Sequence, residues 1–334
     1  MKKYFIIIVV TILIAVVGLL IYRFVPNAIQ PIEERRGVEM LETDRFFFWS
    51  TATDLRTPRT EVTGAALDGE IYVIGGFDIQ GKAVGTVEIY DPERNQWRVG
   101  VELPEARHHT TAAVVDDVLY VIGGFTKQNR PSNNVFAFDL ESKEWQRQAS
   151  LSEARGGHAV AVFDGKIYVV GGIGSAGLLN SLEVYDPESN RWETKANAPT
   201  ARDHLAAGFV DGSFYVGGGR QIIPGFNLDA LDVYDPKTDT WSTGPSMPTA
   251  RGGIAGGGLD GVFVVAGGES VTGTYDNAEA YDPIKDIWII LPNLPTARHG
   301  LAAVKIEDQM YFIAGGTKPG LSVSSKNEIL TAIR

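Results

Sequence analysis

The apolar residues divide the chain into two unlike parts. From Tyr4 to Tyr22 the sequence runs nineteen residues without a charge, whereas beyond residue 45 the apolar residues come in short runs punctuated by glycine, aspartate and proline. A helix of the first kind is roughly 28 Å long at about 1.5 Å per residue, close to the thickness of a bilayer core. Runs of the second kind, such as Ile71-Tyr72-Val73-Ile74 and Tyr311-Phe312-Ile313-Ala314, have the length and β-branched, aromatic character of buried strands.

The short runs repeat. Glycine pairs at Gly75-Gly76, Gly123-Gly124, Gly171-Gly172, Gly218-Gly219, Gly267-Gly268 and Gly315-Gly316 recur at intervals of 48, 48, 47, 49 and 48 residues. Tryptophans keep the same beat at Trp49, Trp97, Trp145, Trp192, Trp241 and Trp288, and an aromatic precedes five of them by seven residues: Tyr90, Phe138, Tyr185, Tyr234 and Tyr281. Between each tryptophan and the next glycine pair lie an Ala/Gly-rich run and a turn, often Asp-Gly, a strong hairpin signal between apolar runs. Each repeat therefore predicts four antiparallel strands: a small-residue strand a, strand b entering the glycine pair, strand c ending at the aromatic, and strand d carrying the tryptophan. Four such strands make one propeller blade.

The glycine doublet, followed by a tyrosine and a tryptophan with six residues between them, resembles the kelch repeat, and the resemblance covers residues 45–334. It implies an all-β, six-bladed β-propeller. The last copy has strands a to c, with Leu330 in the aromatic place, and the first tryptophan, Trp49, has no strands before it. The N-terminal strand is therefore expected to complete the last blade, which removes exposed sheet edges. Three parts follow: a transmembrane signal-anchor over 1–22, a tether over 23–44 that holds Pro26 and Pro31, and the propeller over 45–334.

Charge refines this picture. The formal charge is −11; residues 1–37 hold five basic and two acidic residues, +3, which leaves −14 for the remainder. Such a balance disfavours nucleic acid as a partner. The absence of cysteine removes disulfides, thiolate metal sites and cysteine nucleophiles. It also removes the tyrosine–cysteine crosslink that a galactose-oxidase-like copper propeller requires. Lys2 and Lys3 before the apolar run favour a cytoplasmic N-terminus and an extracytoplasmic propeller, although Arg23, Arg35 and Arg36 follow the run. The competing reading of the run is a cleaved signal peptide, whose apolar region is shorter, about 7–15 residues. Gly217-Gly218-Gly219 and Gly256-Gly257-Gly258 are read as strand glycines, since no helix or Gly-Lys-Ser/Thr follows to make a phosphate loop.

Strand alternation puts the d–a connections and b–c loops on one face. The b–c loops (77–86, 125–133, 173–180, 220–229, 269–276 and 317–326) share little with one another, as recognition loops do. An arginine stands ten residues after each tryptophan: Arg59, Arg107, Arg155, Arg202, Arg251 and Arg298. They form either a basic ring suited to carboxylates or an internal set paired with Glu88, Glu183, Asp232, Glu279 and Glu328 of strand c. Arg107 and Arg155, beside the blade in which Phe136 replaces the acid, are the preferred ligand contacts. The five histidines, His108, His109, His158, His204 and His299, all lie near these arginines. They read either as a metal or acid/base site or as polar starts of strand a. The arginines with His108, His158, His204 and His299 make up the expected ligand-binding set; no metal or cofactor is assigned.

The function expected is binding of a protein or glycan through the loop face by a membrane-anchored, extracytoplasmic propeller. The alternative comes from a resemblance to exported bacterial kelch proteins that interconvert sialic acid forms. It implies a carbohydrate-active epimerase or mutarotase acting on N-acetylneuraminate, an anionic sugar suited to an arginine-lined mouth.

Overall fold

The structure, a computed structural model, describes residues 45–221 and 226–334. Six four-stranded antiparallel sheets follow one another in sequence. In blade one the strands a to d are Thr63–Leu67, Glu70–Ile74, Val87–Asp91 and Gln96–Val99, hydrogen-bonded in that order. Strands a line the axis, where alanine and glycine such as Ala112, Ala207 and Gly256 face the channel and larger side chains would block it. The expected anchor (1–22) and tether (23–44) lie outside the described residues. No helix among the described residues is long and apolar enough to cross a membrane.

Blade six is shared by the two ends of the propeller. Its strands are Ala302–Ile306, Gln309–Ile313 and Asn327–Ile333, completed by Phe46–Thr51 from the start of the propeller. Trp49 pairs with Leu330 as Trp97 pairs with Tyr90, so Leu330 occupies the aromatic slot and is fully buried there. Both ends thus contribute hydrogen bonds to one sheet, and neither edge of that junction stays open.

The recurring aromatics staple neighbouring blades. Each tryptophan Nε1 donates to a carbonyl one blade back: Trp97 to Thr53 (2.8 Å), Trp145 to Val101 (3.1 Å) and, across the closure, Trp49 to Pro292 (2.7 Å). Where strand c ends in tyrosine, the hydroxyl donates to a turn residue, as from Tyr90 to Asn95 and from Tyr185 to Asn190, both at 2.7 Å. Asn95 Oδ1 in turn accepts the Thr53 amide at 2.8 Å. A tyrosine in this place packs a ring and also orients an inter-blade turn through its polar tip. Phe138 and Leu330 keep the packing and lack the hydroxyl.

The glycine doublets mark where strand b leaves its blade and meets the next. Gly75 is left-handed (φ 65°), and a Cβ there would lie 2.5 Å from the Arg107 carbonyl oxygen. In blade six the count from sequence is out by one residue. Phe312 pairs with Glu328 as Val265 pairs with Glu279, so Ala314 stands in the place of Gly267, and Gly315-Gly316 fall one position later. Ala314 takes φ 61°, a left-handed conformation that costs a non-glycine residue roughly 1 kcal/mol. The run Gly256-Gly257-Gly258 has a packing role: a Cβ on Gly258 would lie 2.2 Å from the Phe209 carbonyl oxygen of blade four.

If the end-to-end blade closes the ring, Trp49→Ala should lower unfolding free energy by about 3 kcal/mol, the scale for removing a large packed aromatic. Phe46→Ser, at an exposed position of the same strand, should change it by less than about 0.5 kcal/mol. Urea titration of the full chain followed by circular dichroism measures both; equal effects would contradict the closure.

Candidate functional site

Two residues beyond each arginine, the six blades place Glu61, His109, Gly157, His204, Gly253 and Gly300 around the axis. All six are left-handed, with φ of 54°, 52°, 66°, 53°, 71° and 60°. Each amide donates to the carbonyl of the equivalent residue one blade back: His109 to Glu61 at 3.1 Å, Gly157 to His109 at 2.9 Å, His204 to Gly157 at 2.8 Å, Gly253 to His204 at 2.9 Å, Gly300 to Gly253 at 2.9 Å and Glu61 to Gly300 at 2.7 Å. The main chain thus forms a closed hydrogen-bonded ring at the mouth of the channel. Glycine adopts this conformation freely. Glu61, His109 and His204 adopt it at a cost of order 1 kcal/mol each, and theirs are the side chains that the ring carries into the mouth.

The arginines lie behind that ring. Their side chains are 3% exposed or less, and Arg59–Glu88 (2.9 Å), Arg155–Glu183, Arg202–Asp232, Arg251–Glu279 and Arg298–Glu328 (each 2.7 Å) are buried ion pairs. Arg107, which meets no acid on strand c, pairs with Glu105 and donates to Ser132 Oγ at 3.0 Å. The other five guanidinium groups also bind main-chain carbonyls, as Arg59 binds those of Gly75 (2.7 Å) and Thr86 (3.0 Å), tying the d–a connection to the exit of strand b. Of the two sequence readings, internal pairing is the geometry found. Arg107 and Arg155, preferred as ligand contacts, are as enclosed as the rest.

The histidines separate into different environments. His158, which directly precedes strand a of blade three, is buried, its Nε2 2.8 Å from Thr111 Oγ1. His108 stacks between Phe77 and Phe125, ring centroids 4.0 and 5.4 Å away. His109, His204 and His299 converge on Glu61: His109 Nε2 lies 3.2 Å and His204 Nε2 4.0 Å from Glu61 Oε2, and His299 Nδ1 lies 3.4 Å from Glu61 Oε1. His204 Nδ1 donates to Asp203 at 2.7 Å, and Arg220 Nη2 approaches its Nε2 at 2.9 Å. Arg220 also bonds Glu269 at 2.9 Å. With Thr60, Phe77, Gly320 and Leu321, several of these residues line a cavity of 220 Å³ beside the axis.

Burial alone would raise the Glu61 carboxyl, but His109, His299 and His204 around it hold it well below the usual carboxylate range. Burial holds His109 well below the ordinary imidazole value and lowers His108 to about 4. For His299 burial also works downward, yet Glu61 and Glu269 outweigh it and raise the group. The mouth therefore sets one carboxylate among three imidazoles, a set suited to proton transfer or to holding a cation.

Sequence reading placed His204 and His299 here but missed Glu61, Asp203, Arg220 and Glu269, and left His109 outside its ligand-binding set. A signal existed. Glu61, His109 and His204 share the second position after the arginine, and Arg220 and Glu269 break the position after the glycine doublet, where Phe77, Phe125 and Ile173 stand in earlier blades.

Comparisons with known proteins agree with this architecture. The profile of the KLHDC2/KLHL20/DRC7 kelch-repeats domain matches residues 63–255, and that of the kelch motif matches residues 250–295. An F-box/kelch-repeat protein of Arabidopsis thaliana is 37% identical over 49 residues, 15% of this chain and 13% of that protein. Kelch-like protein 4 of Homo sapiens is 42% identical over 50 residues, 15% of this chain and 7% of that protein. The similarity thus spans a small part of the length of these relatives. Among solved structures, that of YjhT superimposes with a TM-score of 0.72 at 17% identity, over 85% of this chain and all of that one, a likeness of fold.

The burial of His158, reinforced by the charge of Arg155, lowers its pKa to about 3. Above pH 6.5 the imidazole is neutral whether the chain is folded or unfolded. Below it the unfolded chain binds a proton that the folded one refuses, so stability falls by about 1.4 kcal/mol per pH unit from this residue down to pH about 3. His158→Gln should remove that increment of slope between pH 6.5 and 4.5, read as urea midpoints against pH. Parallel curves for the two proteins would contradict the assignment.

Proposed function

The chain belongs to the kelch-repeat family of β-propellers, and from that premise we propose that it is a membrane-anchored, extracytoplasmic binding propeller whose loop face docks a protein partner. One observation carries the reading: on that face the b–c loops of four successive blades, six closing onto one, raise large apolar side chains into solvent. Ile79, Phe226, Val271 and Leu321 are 70%, 60%, 67% and 59% exposed. Apolar side chains grouped on recognition loops mark an interaction surface. The loops of blades six and one also touch, since a Cβ on Gly81 would meet Leu321 at 2.5 Å.

Charge supports an acidic, apolar partner. The six b–c loops hold six basic and four acidic residues, a balance of +2 in a region whose remainder carries −16. A segment offering acidic and apolar side chains complements such loops and is repelled elsewhere. The uncharged run Tyr4–Tyr22, preceded by Lys2 and Lys3, supports attachment to a membrane with the propeller on the far side. A carbohydrate-active site, resembling a sialic acid mutarotase, is the second reading. It is favoured by the proton carriers Glu61 and His109 at an open cavity, with the Asp203–His204 pair next to them, and disfavoured for an anionic sugar by the burial of the six repeat arginines.

Selection of a random peptide display library on the detergent-solubilised full chain tests the docking reading. Enriched peptides should be acidic and apolar, and should lose at least about tenfold in affinity when Phe226 and Leu321 are both changed to serine, as interface anchors do. Glu188→Lys, in a turn on the opposite face, should leave them bound. Peptides indifferent to the loop pair, or no enrichment, would overturn the proposal. In parallel, anomer exchange of N-acetylneuraminate followed by NMR should stay at the buffer rate; acceleration lost in Glu61→Gln would transfer the site to the carbohydrate reading.

A further inference from the structure

Glu61, His109 and His204 bring one carboxylate oxygen and two imidazole nitrogens within 4.8 Å of one another, from three different blades. The hydrogen-bond network assigns their protons. His108 Nε2 faces Asn129 Oδ1 at 3.0 Å and donates to it, so this neutral ring presents a lone pair at Nδ1. His109 Nδ1, 2.6 Å away, must then be the donor to His108, which leaves His109 Nε2 as a bare lone pair. It points at Glu61 Oε2, 3.2 Å off, itself an acceptor. On the other side Asp203 takes the Nδ1 proton of His204, and Arg220, which can only donate, meets Nε2; that nitrogen too is a lone pair.

Three acceptors thus face a common point, and two of them oppose each other without a proton between them. Such a set is stabilised by a cation. Ligands 2.0–2.2 Å from a tetrahedral ion lie roughly 3.4 Å apart, against 3.2 and 4.0 Å for the two histidines measured from Glu61 Oε2. The outer partners have the form that metal sites use: Asp203 fixes the tautomer of His204 and His108 that of His109, while His299 Nδ1 lies 3.4 Å from the second oxygen of Glu61.

We propose that Glu61, His109 and His204 are the ligands of one divalent transition-metal ion of the zinc class, with Arg220 as the internal cation that competes for His204. Two histidines and a carboxylate leave an open fourth position, facing the mouth, for water or a ligand oxygen. When the ion binds, Arg220 leaves His204 Nε2 and keeps its pairs with Asp203 (3.4 Å) and Glu269 (2.9 Å). This goes beyond docking at the loop tips, because it concerns the mouth and needs no partner protein.

The test uses the untagged, chelator-stripped full chain in detergent, titrated with Zn²⁺ by calorimetry and with Co²⁺ by visible absorption. One ion per chain and a tetrahedral-type Co²⁺ band are expected. His109→Ala and His204→Ala should abolish both signals while circular dichroism stays unchanged. Asp203→Asn should weaken binding about tenfold, and Arg220→Gln should strengthen it. His158→Gln, which leaves the three ligands intact, should bind as the parent does. Absence of saturable binding, or binding that survives in the His109→Ala, His204→Ala double variant, would overturn the proposal whatever the peptide selection gives.

Discussion

The closed ring of six main-chain hydrogen bonds at the mouth is the constraint on which the rest of the molecule depends. A propeller blade contributes only its innermost strand to the axis, and the ring links each inner strand to the next through one amide and one carbonyl. Closing it requires six left-handed residues in a row of blades, a demand that glycine meets in three blades and that Glu61, His109 and His204 meet under strain. Outside the ring, tryptophan staples fix the spacing between blades, and buried Arg–carboxylate pairs tie each d–a connection to strand c of the blade it enters. A charge removed from one of those pairs would leave the other buried and uncompensated, a cost of several kcal/mol.

The same constraint builds the candidate site. Because equivalent positions in consecutive blades are held shoulder to shoulder, any side chain placed there meets those of its neighbours. Glu61 therefore faces His109 of the next blade, 48 residues on, and His299, which stands one residue before the ring position of blade six and 238 residues away. Around this fixed centre the b–c loops differ freely, which lets the exposed apolar tips vary without disturbing the axis.

Much of this was legible in the sequence, because period is a direct readout of the blade. Six tryptophans and six glycine pairs gave the number of blades, the strand order and the pairing of Trp49 with Leu330. The offset in blade six was not legible, since Ala314 tolerates a conformation that normally calls for glycine and so displaces the visible doublet by one residue. The arginines were ambiguous because pairing across strands depends on side-chain reach, not on spacing. Glu61 escaped notice as one acid among many; only its place in the ring, level with His109 and His204, shows what it faces.

Amide hydrogen exchange resolved by NMR on the full chain probes the ring most directly. The amides of Glu61, His109, Gly157, His204, Gly253 and Gly300 should exchange together, at the slow rate of strand b amides such as Val73, Val121 and Val169, because a closed ring opens only when the propeller unfolds. Rapid exchange at any of the six while strand b remains protected would show an open ring and contradict the account.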